Sequence, residues 1–186
     1  MKRTLALLTL LALGGASALT LSGTVGPDLP PGARLGLFLV SASGAPVGEF
    51  ASAPVSGGKF SLELPGTAPA ASAQYPLRRD GIAWPGVFDP VTLSREVPVA
   101  ELRAYVYADA NGDGHFQQGE PTFEAPLRAG RDAVILVWAA DSVHVQAARG
   151  FDATLNRGWN ALSITPGKNV KVGAYGGAAL TLNVLK

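Results

Sequence analysis

Six positions able to present oxygen stand at fixed intervals in the middle of the chain: Asp109, Asn111, Asp113, His115, Gln117 and Glu120. Gly114 occupies the sixth place of the same window. Short oxygen side chains at places 1, 3 and 5 converge only where the backbone curls tightly, and glycine at place 6 permits the bend. His115, at place 7, offers its backbone carbonyl, so its imidazole is not expected to be a ligand. Gln117 acts directly or through a water, and Glu120 has the reach to close the ring with both carboxylate oxygens. The pattern D-x-[DN]-x-[DN]-G followed by five residues and Glu is met throughout. Asp109, Asp113 and Glu120 would repel one another without a cation between them. Hard oxygen donors on a flexible loop favour calcium over zinc or copper. The plain alternative is a metal-free turn held by Asx and Gly geometry.

Other chemistry is sparse. The chain has two histidines and no cysteine, so a thiolate metal site, a cysteine nucleophile and a disulfide scaffold are excluded. His144 alternates with Val143 and Val145, which places it on the polar side of a strand. No G-x-S-x-G elbow supports a Ser-His-Asp triad. Trp84, Tyr105, Tyr107 and Trp159 are the aromatic candidates for a carbohydrate or small-ligand platform, with Arg103 on the same strand face as the two tyrosines. A hydrolase is the weakest of the readings.

These residues must be positioned by strands. Period-two alternation recurs through the chain. Leu19, Leu21 and Val25 alternate with polar residues, as do Phe60, Leu62 and Leu64, and Leu102, Ala104 and Val106. Residues 133–139 (AVILVWA) are apolar on both faces and read as a central strand. Residues 101–108 lead into the oxygen-rich window as a strand, and Pro121 and Pro126 oppose a helix after it. Ser43 to Pro46, Gly57-Gly58 and Asn156-Arg157-Gly158 read as hairpin connections, with further breaks at Pro166-Gly167 and Gly176-Gly177. The fold class expected is all-β: an antiparallel β-sandwich, with the 109–120 loop as a crossover between two strands. Residues 65–76 are linker-like, and residues 74–90 carry Tyr75, Trp84 and Phe88 among Pro and Gly. A unit over residues 19–64 is too small to stand alone without a disulfide. The expectation is one domain over 19–186, with that aromatic stretch either plugging the sandwich or serving as a recognition loop.

Composition agrees. Of 186 residues 47% are hydrophobic and 16% charged, against roughly 25% charged in an average soluble domain. A net charge of +1 gives no electrostatic footprint for nucleic acid. Lys2 and Arg3, the apolar run 5–13 and Ala16-Ser17-Ala18 have the layout of a secretory signal peptide over residues 1–18. The run is too short to span a bilayer, and no later stretch qualifies. Taking Lys2 and Arg3 from the 15 basic residues leaves 13 against 14 acidic. The expected location is extracytoplasmic: periplasm, cell surface or medium.

Over its twelve residues the 109–120 window resembles the EF-hand calcium loop. Its flanks do not read as helices and no second copy occurs, so it is more similar to the calcium loops that join strands in bacterial surface β-sandwich repeats. Leu21-Ser22-Gly23-Thr24-Val25 resembles the opening of prealbumin-like secreted β-sandwich modules. That second resemblance suggests a fold and carries no site. The leader, the strands and the loop lead to the expectation of a secreted or envelope, non-enzymatic module with a structural calcium ion and an envelope protein or polysaccharide as partner. The leader predicts a mature N-terminus at Leu19. Intact mass of the extracytoplasmic protein is expected to lack residues 1–18, and retention of Met1 there would contradict it.

Overall fold

A computed structural model describes residues 19–27 and 29–185; the expected leader lies outside the described residues. In chain order the strands are β1 (Leu19–Val25), β2 (Ala33–Val40), β3 (Pro46–Pro54), β4 (Lys59–Leu64), β5 (Tyr75–Pro76), β6 (Thr92–Leu93), β7 (Pro98–Ala108), β8 (Thr122–Glu124), β9 (Arg128–Ala129), β10 (Asp132–Ala139), β11 (Val143–Ala147), β12 (Phe151–Leu155), β13 (Gly158–Thr165), β14 (Lys171–Ala174) and β15 (Leu180–Leu182). Two 3₁₀ turns, Ala71–Ala73 and Ala148–Gly150, are the only helical segments among the described residues. The chain is nearly all-β. The main sheet runs β3, β2, β7, β10, β9, β15, β1, β4, with β13 and β14 continuing outward from β10. A second sheet runs β12, β11, β6. Pairing is antiparallel except between β1 and β15.

The sheets pack face to face because β10 is apolar on both sides. Val134 and Leu136 point into one core with Leu21, Leu35, Leu62, Leu102 and Leu180. Ile135, Val137 and Ala139 point into a second, with Trp84, Val99, Val145, Phe151 and Ile164. Period-two alternation assigns successive residues to opposite faces, so one seven-residue run serves two layers.

The first strands do not form a sheet of their own. β2 pairs with β7 over eight residues, from Ala33 opposite Ala108 to Val40 opposite Glu101, and β1 pairs with β15. Two of the three turns expected as hairpins carry the chain between partners instead. Ser56 and Lys59 bridge across Gly57-Gly58, yet β3 pairs with β2 and β4 with β1. At Asn156-Arg157-Gly158 the chain leaves β12 in the second sheet and enters β13 in the main one. The buried amide of Asn160 closes that turn, accepting from the Asn156 N–H and donating to the carbonyls of Asn156 and Gly158. After Gly176-Gly177 the chain joins β1 and β9, not β14. Turn residues reverse the chain, but the edge it meets next is decided by which apolar face must be covered.

Because adjacent residues of β10 feed both cores, the two should unfold together. Leu136→Ala is expected to cost about 2–5 kcal/mol and Val137→Ala about 2 kcal/mol. Each kcal/mol should lower the melting temperature by roughly 2–4 °C. Calorimetry should show one transition moved by either substitution; two separable transitions would mean that each core folds by itself.

Candidate metal centre

The 109–120 window connects β7 to β8. These strands pair directly, Tyr105 opposite Glu124 and Tyr107 opposite Thr122, and the Ala108 N–H donates to the Pro121 carbonyl at 3.1 Å. The expected crossover is therefore a hairpin loop: Thr122–Glu124 lies along the free edge of β7 beyond the point where β10 leaves it.

Inside the loop most of the carboxylate oxygens, and the Asn111 side-chain oxygen, accept from backbone N–H groups of the loop itself. Asp109 Oδ1 accepts from Gly112 at 2.8 Å and Oδ2 from Gly114 at 3.0 Å. Asn111 Oδ1 accepts from Asp113, and Asp113 Oδ1 from His115 at 2.9 Å. The other Asp113 oxygen takes the side-chain amides of Asn111 and Gln117. Glu120 reaches back over the loop, Oε1 accepting from Ala110 at 3.0 Å and Oε2 from Gln117 at 2.9 Å. Gly114 has φ +84°, the left-handed conformation that an L side chain resists. The His115 N–H, with help from the Asn111 amide, holds the Asp113 carboxyl below the usual aspartate range, so it stays ionised in mildly acid solution. A carboxylate offers about four lone-pair sites, so oxygens that accept one N–H keep capacity for a cation. The imidazole of His115 is 81% exposed and lies 3.5 Å from Glu49, outside the ring. Among the described residues no three His, Asp or Glu side chains form a ready-made metal cluster. The Asn111 and Gln117 amides now donate to Asp113; they would have to turn to present oxygen.

What holds the loop against the sandwich was not legible in its own sequence. A bulge in β3 is responsible. Ala51 pairs with Leu37 and Glu49 with Phe38, leaving Phe50 as the extra residue. Residues 49 and 52 would otherwise lie on opposite faces; the bulge puts both on one. Ser52 Oγ then donates to the Gly114 carbonyl at 3.1 Å, and Glu49 Oε2 accepts the Phe116 N–H at 3.2 Å. On the same face Phe38, Tyr105 and Tyr107 form a small aromatic cluster capped by Phe116. The Phe116 ring meets Phe38 edge-on at 5.1 Å and Tyr107 at 5.6 Å. Gly36 makes room for the Phe38 ring: a Cβ there would stand 2.5 Å from it.

The aromatic platform is largely buried. Trp84, Tyr105 and Tyr107 lie in the interior, and Trp159 is half-buried with its N–H donating to the Thr67 carbonyl at 2.9 Å. Trp84, in the 74–90 stretch, is part of the second core, while Phe88 is exposed beneath Arg149. His144 Nε2 lies 2.7 Å from Asp152 on the solvent face of β11 and β12. A network absent from the sequence reading joins Trp84 and Arg103 to Glu101, with Glu124 3.9 Å from Arg103. It borders a cleft of about 430 Å³ where β7 and β10 part. Only the alternation of charged and apolar residues along β7 hinted at it. No helix among the described residues is long and apolar enough to cross a membrane. Comparison with protein families, with curated proteins and with solved structures found no match for this chain.

Burial pushes the phenols of Tyr75 and Tyr107 up to about 12, and those of Tyr105 and Tyr175 upward as well. The folded state favours the neutral phenols. Their contribution to stability is complete below the unfolded value of about 10 and is lost as pH rises from there through about 12. Phenolate absorbance is therefore expected to appear late and together with unfolding. Full tyrosine ionisation near pH 10 in a folded protein would contradict this burial.

Proposed function

We propose that this chain is a secreted or cell-envelope β-sandwich module in which the 109–120 loop binds calcium as a structural ion, with a non-enzymatic structural or interaction role. The observation that carries the reading is the closure of the loop: Glu120, the last donor, reaches the N–H of Ala110, beside the first donor Asp109. The donors would be Asp109, Asn111, Asp113, the His115 carbonyl, Gln117 and Glu120. Calcium would offset two of the three carboxylate charges when bound. The chain's own part is mechanical. A stiffened loop keeps Phe116 seated on Phe38 and Tyr107, so the ion's effect passes to β2 and β7, and through Glu49 and Ser52 to β3. The leader-like start supports an extracytoplasmic location, where free calcium is abundant. An envelope protein or polysaccharide is the proposed partner. A second reading, a small-ligand module, is favoured by the cleft at Glu101, Arg103 and Glu124 rather than by the buried tyrosines.

Extracellular calcium modules bind at about 10⁻⁴ to 10⁻³ M. At free calcium roughly ten times the dissociation constant, linkage adds about 1.4 kcal/mol, which raises the melting temperature on the order of 3–6 °C. Asp109→Ala or Glu120→Ala should abolish that rise, and His115→Ala should retain it. Magnesium should substitute poorly, because it demands a tighter octahedral shell and keeps its waters. Equal melting temperatures in calcium and chelator, with no heat on calcium titration, would return the loop to an ordinary turn.

A further inference from the structure

Beneath the loop stands a cation of the protein's own. Arg34, on β2, holds its guanidinium against Asp109, with Nε 3.9 Å from Oδ2. The two side chains are 18% and 7% exposed. Arg34 Nη2 donates to Ser52 Oγ at 3.2 Å, and that hydroxyl donates to the Gly114 carbonyl. A Cβ on Gly114 would lie 3.7 Å from the Arg34 Cζ, so the guanidinium runs directly under the bend of the loop. Arg34 Nε is buried without a hydrogen-bond partner. Asp109 meanwhile is satisfied by the N–H groups of Gly112 and Gly114. Arg34 thus gives Asp109 charge without a hydrogen bond that an arriving ion would have to break.

We infer that Arg34 sets the affinity of the 109–120 site by acting as a resident counter-charge that competes with the divalent ion; this rests on the calcium reading above. Two effects have the same sign. In the ion-free loop Arg34 offsets the negative charge of Asp109 and stabilises the empty state. In the occupied loop its charge repels the ion at short range, with little screening because the pair is largely out of water. An arginine stays protonated throughout the accessible pH range, so the competition is permanent. Ser52 is a separate mechanical tether, since its bond to Gly114 does not need Arg34.

Calcium titration calorimetry on the full mature chain and on Arg34→Gln, Arg34→Lys and Ser52→Ala tests this. Arg34→Gln is expected to bind calcium at least about tenfold more tightly, the size that a unit charge about 6 Å from a divalent ion has even at the full dielectric of water. Its melting temperature in chelator should fall while its calcium-dependent rise grows. Arg34→Lys, which keeps the charge, should stay within about threefold of the native affinity, and Ser52→Ala likewise. High salt should leave most of the difference between native and Arg34→Gln in place, because the pair is largely out of water. Native protein that binds calcium while folded Arg34→Gln binds equally or more weakly overturns this inference alone. If Arg34→Gln does not fold, the other two variants decide. A several-fold loss in Ser52→Ala means that the tether governs the site and overturns the inference, and so does a several-fold gain in Arg34→Lys. Absence of heat from every protein, native included, defeats the calcium reading and this inference with it.

Discussion

Burying both faces of β10 obliges the chain to supply a layer on each side, and the other strands are arranged around that demand. Val134 and Leu136 need the cover given by β1, β4 and β15; Ile135 and Val137 need the second sheet and Trp84. A residue buried completely on either face contributes about 1.5–3 kcal/mol, so leaving one face open would forfeit more than a domain of this size can spare. The long pairing of β2 with β7 and the crossing from β12 to β13 follow from the same requirement. They commit β7 to a fixed place, and β7 is the strand that launches the 109–120 loop.

The loop depends on the sandwich for its footing. Its internal hydrogen bonds curl it, but exposed Asx geometry alone would leave it free to move as a whole. The bulge at Phe50 brings Glu49 and Ser52 to the face that carries Phe38, Tyr105 and Tyr107, and Phe116 closes over it. Edge-to-face aromatic pairs add about 0.5–1.5 kcal/mol each beyond burial. The hydrogen bonds from Ser52 and to Glu49 add direction rather than much energy. A loop with oxygen-rich chemistry is thus fastened at its bend to a rigid sheet. The far side of β7 has a different character: beyond Leu102 it parts from β10, and β8 and β9 fill the fork and leave the cleft beside Glu101 and Arg103.

Much of this was written locally in the sequence. Alternation at Phe60, Leu62 and Leu64, or at Leu102, Ala104 and Val106, marks strands with one buried face, and the structure has strands there. The all-apolar run 133–139 announced a doubly covered strand. The spacing from Asp109 to Glu120, with glycine at the sixth place, specified a curled loop with its oxygens turned inward, because Asx side chains and glycine act on backbone only a few residues away.

Tertiary structure alone decided how these pieces meet. Strands of two or three residues such as Arg128–Ala129 carry too little pattern to be seen; they exist because a longer neighbour offers an unpaired edge. The turns at Gly57 and Asn156 read as hairpins, but pairing is fixed by long-range burial and not by the turn. A bulge shifts side-chain direction by one residue and leaves no mark in composition, so Glu49 and Ser52 could not be assigned to the loop in advance. Between Arg34 and Asp109 the chain passes through β3, β4, β5, β6 and β7, and no local spacing relates them. Residue type and interval determine what a segment prefers by itself; which charge stands beside which depends on the packing of faces far apart in the chain.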